Sequence, residues 1–180
     1  LTGLGEGSHT LLVTQTDAAG NVSASSSVTW VVDTGAPSAP SVLRTSPTAS
    51  PSNSTTQQIS LAGTEAGTSL RCKLDTGSYA ACPSSPATFS GLAQGAHTLL
   101  VTQTDAAGNV SSAASVTWTV DSIAPGAPTI GFNRPAVTNV NSAAIGYSVP
   151  EPGGTFECSM DSAPWMPCPG NPVNLTSIPD

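Results

Sequence analysis

The sequence predicts an all-β chain of tandem antiparallel β-sandwiches, one complete unit flanked by two partial units. Three observations lead there. The segment His9–Ser23 recurs without a change as His97–Ser111, an offset of 88 residues. The cysteine pairs Cys72/Cys82 and Cys158/Cys168 share a spacing of ten positions and lie 86 positions apart. The chain between these landmarks alternates polar with apolar residues or breaks into turns, and no stretch has helical periodicity. A long repeat period marks a string of small domains. Duplicated units suit reach, spacing or valency more readily than a single catalytic pocket.

The repeat phase sets the boundaries. Val28-Thr29-Trp30 returns as Val116-Thr117-Trp118, and Asp33 with Ala36-Pro37 returns as Asp121 with Ala124-Pro125. Leu1-Thr2-Gly3-Leu4 is in register with Leu175-Thr176-Ser177-Ile178. Residues 1–36 are therefore expected to hold the C-terminal strands of one repeat. Residues 37–122 hold a complete repeat, large enough for a modest core, and residues 123–180 hold the N-terminal strands of a further one.

Within the complete repeat, Pro37, Pro40, Pro47 and Pro51 forbid helix at its start. Gln58-Ile59-Ser60-Leu61 alternates, so Ile59 and Leu61 share a face. Leu70-Arg71-Cys72-Lys73-Leu74 alternates too, with Leu70, Cys72 and Leu74 inward. Asp75-Thr76-Gly77 turns the chain, with the glycine supplying a positive φ, and Tyr79–Cys82 is the return arm. Ala87-Thr88-Phe89 and the turn Gly91–Gly95 lead into a strand over His97–Thr104 with Leu99 and Val101 on one face. Asp105–Asn109 is a tight reversal whose aspartate accepts turn amides. In the last strand, Ser115–Asp121, Val116, Trp118 and Val120 point together, and Trp118 is the central core ring, with Trp30 as its copy. Short strands with frequent turns give a seven-stranded sandwich.

Composition narrows the function. Charged residues make up 8% of the chain, against about 25% in an average soluble domain. Eleven acids and four bases give a net charge of −7, which argues against nucleic acid and against anionic lipid as partners. No apolar run approaches the ~20 residues of a membrane span. The cysteines point to an oxidising compartment. Zinc would need close C-x₂₋₄-C clusters or neighbouring histidines. Disulfides are the expected state, free buried thiols the alternative. A Cys72–Cys82 bond would staple the hairpin side to side and contribute about 2–3 kcal/mol.

The run Cys72–Cys82, then Gly91-Leu-Ala-Gln-Gly-Ala-His-Thr98, Thr104-Asp-Ala-Ala-Gly-Asn109, Trp118-Thr-Val-Asp121 and Ala124-Pro125 resembles the tandem bacterial Ig-like (fibronectin-III-like) repeats of large secreted and cell-surface proteins. The resemblance spans nearly the whole chain and is weakest in its last third. It implies Ig-like sandwiches used as a stalk, spacer or adhesin segment, extracellular, with neighbouring repeats or copies of the same protein as partners. Gln15 and Gln103 depart from it, standing where such repeats often carry a small inward residue. A buried glutamine needs partners at both ends of its amide; a place at the solvent-facing end of the sandwich is the alternative.

Candidate sites follow from the same residues. Asp33, Asp105 and Asp121, with Asp17 as a further candidate, lie in reversals and junctions where tandem adhesins bind Ca²⁺, although Ca²⁺ takes six to eight oxygens and each junction offers few charges. Turn capping is the competing role, and no other cofactor is implied. His9 and His97 occupy matched strand starts with no nucleophile beside them in sequence. No G-x-S-x-G, H-E-x-x-H or phosphate-loop pattern is present, and no catalytic residue is assigned. Thr14-Gln15-Thr16 occurs once per unit, too sparse for a ranked ice-binding array. Asn21, Asn53, Asn109 and Asn174 begin glycosylation sequons that chance explains in a Ser/Thr-rich chain. Trp165 and Tyr79, at equivalent hairpin positions, are the candidates for contact with a glycan or a surface protein. The terminal half-sandwiches would expose sheet edges and faces. They fit an excerpt of a longer repeat protein, the preferred reading, or copies joined by strand complementation.

Overall fold

The structure, a computed structural model, describes residues 2–132, 142–148, 151 and 153–175. The described residues form strands and no helix. They divide into two compact units, Leu1–Ser122 and Ile123–Asp180.

The first unit contains a hairpin and a complete sandwich. Strand β1 (Gly7–Val13) pairs antiparallel with β2 (Ser26–Val32), His9 opposite Trp30 and Leu11 opposite Val28. The sandwich uses β3 (Ser41–Ser46), β4 (Gln57–Ala62), β5 (Ser69–Leu74), β6 (Ala80–Ala81), β7 (Ala87–Phe89), β8 (Gly95–Thr104) and β9 (Ala114–Val120). One sheet has the order β3-β4-β7 and the other β6-β5-β8-β9. Both contribute to one core, with Ile59, Leu61 and Ala87 from the first and Cys72, Leu99, Val101, Trp118 and Val120 from the second. In β8 the alternation is strict. His97, Leu99, Val101 and Gln103 are buried, and the residues between them are half-exposed.

Several details differ from the sequence reading. The strand β3 lies between Pro40 and Pro47, where only chain-breaking was read. Its residues Val42 and Leu43 pair with Leu61 and Ser60, and the prolines stand outside the ladder, where a missing N–H costs nothing. The left-handed residue of the β5–β6 turn is Asp75, with φ of 50°, rather than Gly77. Aspartate tolerates that region, and Gly77 serves instead for close approach, donating its N–H to the Leu74 carbonyl at 2.9 Å. For Gln103 the sequence left two places open, and at 0% exposure it takes the buried one. Its Nε2 donates to the Ser38 carbonyl at 2.6 Å and to Thr64 Oγ1 at 2.5 Å, while Oε1 accepts from the Thr64 N–H at 3.0 Å and Thr68 Oγ1 at 3.3 Å. Both amide ends are thus paired, which removes most of the desolvation cost. Gly63 makes room for this clamp, since a Cβ there would sit 2.7 Å from Thr68 Oγ1 and 3.0 Å from Gln103 Oε1.

The second unit repeats the first half of that sandwich. Strands β10 (Thr129–Phe132), β11 (Ala143–Ser148) and β14 (Val173–Leu175) form one sheet, and β12 (Glu157–Cys158) and β13 (Met166–Pro167) a second. The registers coincide with those of the complete unit. Ile145 lies opposite Phe132 and Val173, as Ile59 lies opposite Arg44 and Ala87. Tyr147 N–H donates to Asn171 Oδ1 at 3.2 Å where Leu61 N–H donates to Ser85 Oγ at 2.9 Å. Tyr147 and Phe156 pack with ring centroids 4.4 Å apart. Cys168 N–H reaches the Phe156 carbonyl at 3.0 Å, as Cys82 N–H reaches that of Leu70 at 3.1 Å. The sequence match of Leu1–Leu4 to Leu175–Ile178 falls mostly outside the described residues, as does Pro152.

The buried amide gives an internal control. Gln103→Ala should cost the complete unit about 2–4 kcal/mol, from a cavity plus unpaired partners. Gln15→Ala, at the exposed equivalent position, should change stability by less than about 0.5 kcal/mol. Hydrogen exchange at the Leu99–Val101 amides under increasing urea measures the complete unit and checks both.

Candidate functional site

The identical segments fold to the same local structure. Ser23 N–H donates to the Gln15 carbonyl at 2.8 Å and Ser111 N–H to that of Gln103 at 2.9 Å. Both histidines are fixed by Nε2, His9 to the Gly5 carbonyl and His97 to that of Ala93, each at 2.8 Å. Each ring packs on the tryptophan opposite it, His9 on Trp30 at 5.9 Å and His97 on Trp118 at 5.7 Å between centroids. The environments differ completely. Leu99 and Val101 are at 0% exposure, whereas Leu11 is at 38% and Val13 at 58%. Burial of each such side chain is worth about 1.5–3 kcal/mol, and in β1 roughly half of that is unrealised. The uncovered β1–β2 face, with Leu11, Val13 and Trp30, is the principal candidate surface.

His97 carries one contact that His9 lacks among the described residues. Its Nδ1 bonds Asp75 Oδ2 at 2.8 Å, and Asp75 Oδ1 accepts the Thr98 N–H at 2.8 Å. The Ala93 carbonyl, and after it Asp75, raise the His97 pKa against the opposing effect of burial. Burial acts to raise Asp75, but the bonds from His97 and the Thr98 N–H outweigh it and hold the carboxyl below its usual range. The pair clamps the β5–β6 turn to the start of β8.

The aspartates proposed as calcium ligands are capping groups in their own turns. Asp105 Oδ1 accepts from Gly108 N–H at 2.8 Å and Asn109 N–H at 2.9 Å, and Oδ2 accepts Asn109 Nδ2 at 3.0 Å. The Asn109 side-chain bond is foremost among those that lower the Asp105 pKa. Asp17 and Asn21 repeat the arrangement, again with a lowered carboxyl and the Asn21 side-chain bond foremost. Asn109 Nδ2 also donates to the Asp33 carbonyl at 3.0 Å, so Asp33 and Asp105 meet at one end of the sandwich. Asp33 Oδ1 caps Gly35 N–H at 3.1 Å. Asp121 follows β9 at the opposite end and accepts Gln94 Nε2 at 2.9 Å. The three do not converge, and among the described residues no group of three or more His, Cys, Asp or Glu is arranged to hold a metal ion. The amide nitrogens of Asn21 and Asn109 are engaged in these turns, so glycosylation there would disrupt them.

The disulfides Cys72–Cys82 and Cys158–Cys168 are formed, with Cα separations of 4.9 and 5.1 Å. They fit an oxidising environment. Trp165 is 70% exposed on the β12–β13 hairpin. Tyr79, in the β5–β6 hairpin, is 36% exposed, and its carbonyl accepts Arg71 Nη2 at 2.9 Å. They lie on separate units. Two shallow depressions of about 410 and 330 Å³ flank the β10–β11 sheet, the first lined by Phe132, Ala144 and Pro172, the second by Ile130, Tyr147 and Asn171. Sequence reasoning missed the clamp from Asp75 to His97. The signal was the pairing of a left-handed Asp after one strand with a His at the start of another, which only topology brings together. No protein-family model and no curated protein matches the chain.

The clamp predicts a pH dependence. A raised His97 pKa gives stabilisation that is full below about pH 6.5 and fades as pH rises through its folded value. A lowered Asp75 pKa gives stabilisation that is full above about pH 4 and fades as pH falls through its folded value. The complete unit should therefore be most favoured by this pair between about pH 4 and 6.5. His97→Gln should flatten the decline on the alkaline side in denaturation midpoints measured against pH.

Proposed function

We propose that the chain is a structural, non-enzymatic segment of an extracellular bacterial repeat protein, a stretch of stalk, fibre or filament built from tandem Ig-like sandwiches. The observation that carries this reading is the recurrence of one strand plan in one register, stapled at the same hairpin each time. The bond from Asn109 to the Asp33 carbonyl supports it too, because it ties one repeat to the next through the backbone. Each repeat would add roughly 30–40 Å, and the Ala-Pro junctions restrict φ and stiffen the string. Neighbouring repeats or copies are the partners in this reading.

Pulling the chain by its ends tests it. The complete unit should unfold in one event that releases roughly 250 Å of chain, and reduction of Cys72–Cys82 should add about 30 Å by freeing the stapled loop. Extension without a discrete event would count against a load-bearing unit.

A second reading, a ligand-binding adhesin module, is favoured by the exposure of Trp165. It expects binding on a glycan array that falls at least about tenfold in Trp165→Ala. A chain inert on the array leaves the stalk reading standing alone.

A further inference from the structure

We propose that the outer face of β5–β6 in the complete sandwich, with Arg71, Lys73 and Tyr79, is a docking surface for a polysaccharide bearing carboxylate groups, which goes beyond the stalk reading and rests on its extracellular setting alone. Strand alternation builds the face. Cys72 is buried in the core, so its neighbours Arg71 and Lys73 project from the other side of the sheet. Across β8, Thr102 stands opposite Arg71 and Leu100 opposite Lys73. Ser115 of β9 continues the second row opposite Leu100. On the other side of β5, Ala80 lies opposite Cys72, which sets Tyr79 on the outward face across from Lys73. Tyr79 is 36% exposed. Two cations, an aromatic ring and hydroxyls thus occupy adjoining positions on one flat face.

Charge is scarce in this chain, so its placement is informative. Residues 37–122 hold three of the four basic residues, Arg44, Arg71 and Lys73, against the acids Glu65, Asp75, Asp105 and Asp121. The complete repeat is therefore close to neutral in a chain of net charge −7. Asp75, Asp105 and Asp121 are engaged by His97, Asn109 and Gln94. Among the described residues neither Arg71 nor Lys73 meets a carboxylate. Arg71 Nη2 donates to the Tyr79 carbonyl at 2.9 Å, which steadies the guanidinium at the edge that carries the ring. The fold does not require these cations. The β12–β13 hairpin keeps the same cysteine spacing and the same staple with Glu157 and Ser159 where Arg71 and Lys73 stand.

The chemistry of the face selects its occupant. A guanidinium fork and an ammonium group answer carboxylates. Successive outward residues of a strand lie roughly 7 Å apart, which suits single charges spaced along a chain. An aromatic ring beside hydroxyls suits sugar rings, which offer apolar C–H faces and polar edges. An acidic protein segment would seek an apolar anchor at the centre of the contact, and this face has only the half-buried Leu100 there. The net charge of the chain disfavours a denser polyanion such as nucleic acid.

Calorimetric titration of the full chain with polygalacturonate tests the surface. Binding should appear at low salt, weaken as salt rises, and be absent with dextran, a neutral polysaccharide. Arg71→Glu combined with Lys73→Ser should lower affinity at least about tenfold without moving the unfolding midpoint of the complete unit. Tyr79→Ala keeps the carbonyl that Arg71 uses and should still weaken binding about tenfold. Trp165→Ala should leave binding unchanged, which separates this surface from the hairpin of the adhesin reading. No binding at millimolar saccharide, equal binding of dextran, indifference to the Arg71 and Lys73 substitutions, or an equal loss in Trp165→Ala overturns the proposal. Tighter binding of polyglutamate overturns it in favour of an acidic protein partner. Each of these failures leaves single-step unfolding under force, and with it the stalk reading, intact.

Discussion

A β-hairpin with an apolar face cannot stay dry by itself; it needs a second sheet above it. The rest of this chain is organised by that requirement. In the complete sandwich the requirement is met within one stretch of sequence, because β3, β4 and β7 arrive before β8 and β9 and close over Leu99, Val101 and Trp118, while β5 pairs beside β8. The same sequence in β1–β2 keeps its hydrogen bonds, its turn and its His-on-Trp packing, yet leaves Leu11 and Val13 facing water. Local structure is thus set by backbone pairing and by short-range side-chain bonds. Stability is set by what lies across the sandwich.

This separation explains how much of the fold was legible. Alternation exposed the inward faces of β4, β5, β8 and β9, since a period of two is a property of the strand alone. The spacing of ten between cysteines marked the stapled hairpin for the same reason. Features that depend on contacts between distant segments were not legible. Gln103 reads as a polar interruption in an apolar face until Ser38, Thr64 and Thr68 come from three places to pair its amide. Gly63 looks like an ordinary loop residue until that clamp closes above it. The strand between Pro40 and Pro47 was hidden because prolines at its boundaries resemble a loop when their position on the ladder is unknown.

The acidic residues show the same limit. Asp33, Asp105 and Asp121 sit where sequence alone permits either cation binding or capping. The structure gives their oxygens N–H donors from within two to four residues for Asp33 and Asp105, and from Gln94 for Asp121. With few charges per junction, amide hydrogens answer the carboxylates locally.

The junction therefore depends on a neutral side chain. Asp105 binds the Asn109 backbone and amide nitrogen together, and this orients the same amide toward the Asp33 carbonyl of the preceding repeat. One turn both caps its own strand pair and brackets the incoming linker. Asp17 and Asn21 form that turn as well, with Asn21 Nδ2 directed to Asp17 Oδ2 at 2.8 Å. Both turns hold the asparagine amide in place as part of their own local structure. Joining repeats then requires little ordering beyond what the turn has already supplied, and the φ restriction of the following Ala-Pro adds to it. Within Leu1–Ser122 the complete sandwich draws its cohesion from apolar burial, and the preceding hairpin is held to it by a hydrogen bond. The two-residue change of offset falls in one connection, since Phe132 follows Arg44 by 88 positions and Ile145 follows Ile59 by 86, and the pairing of Ile145 with Phe132 and Val173 keeps the register of Ile59 with Arg44 and Ala87.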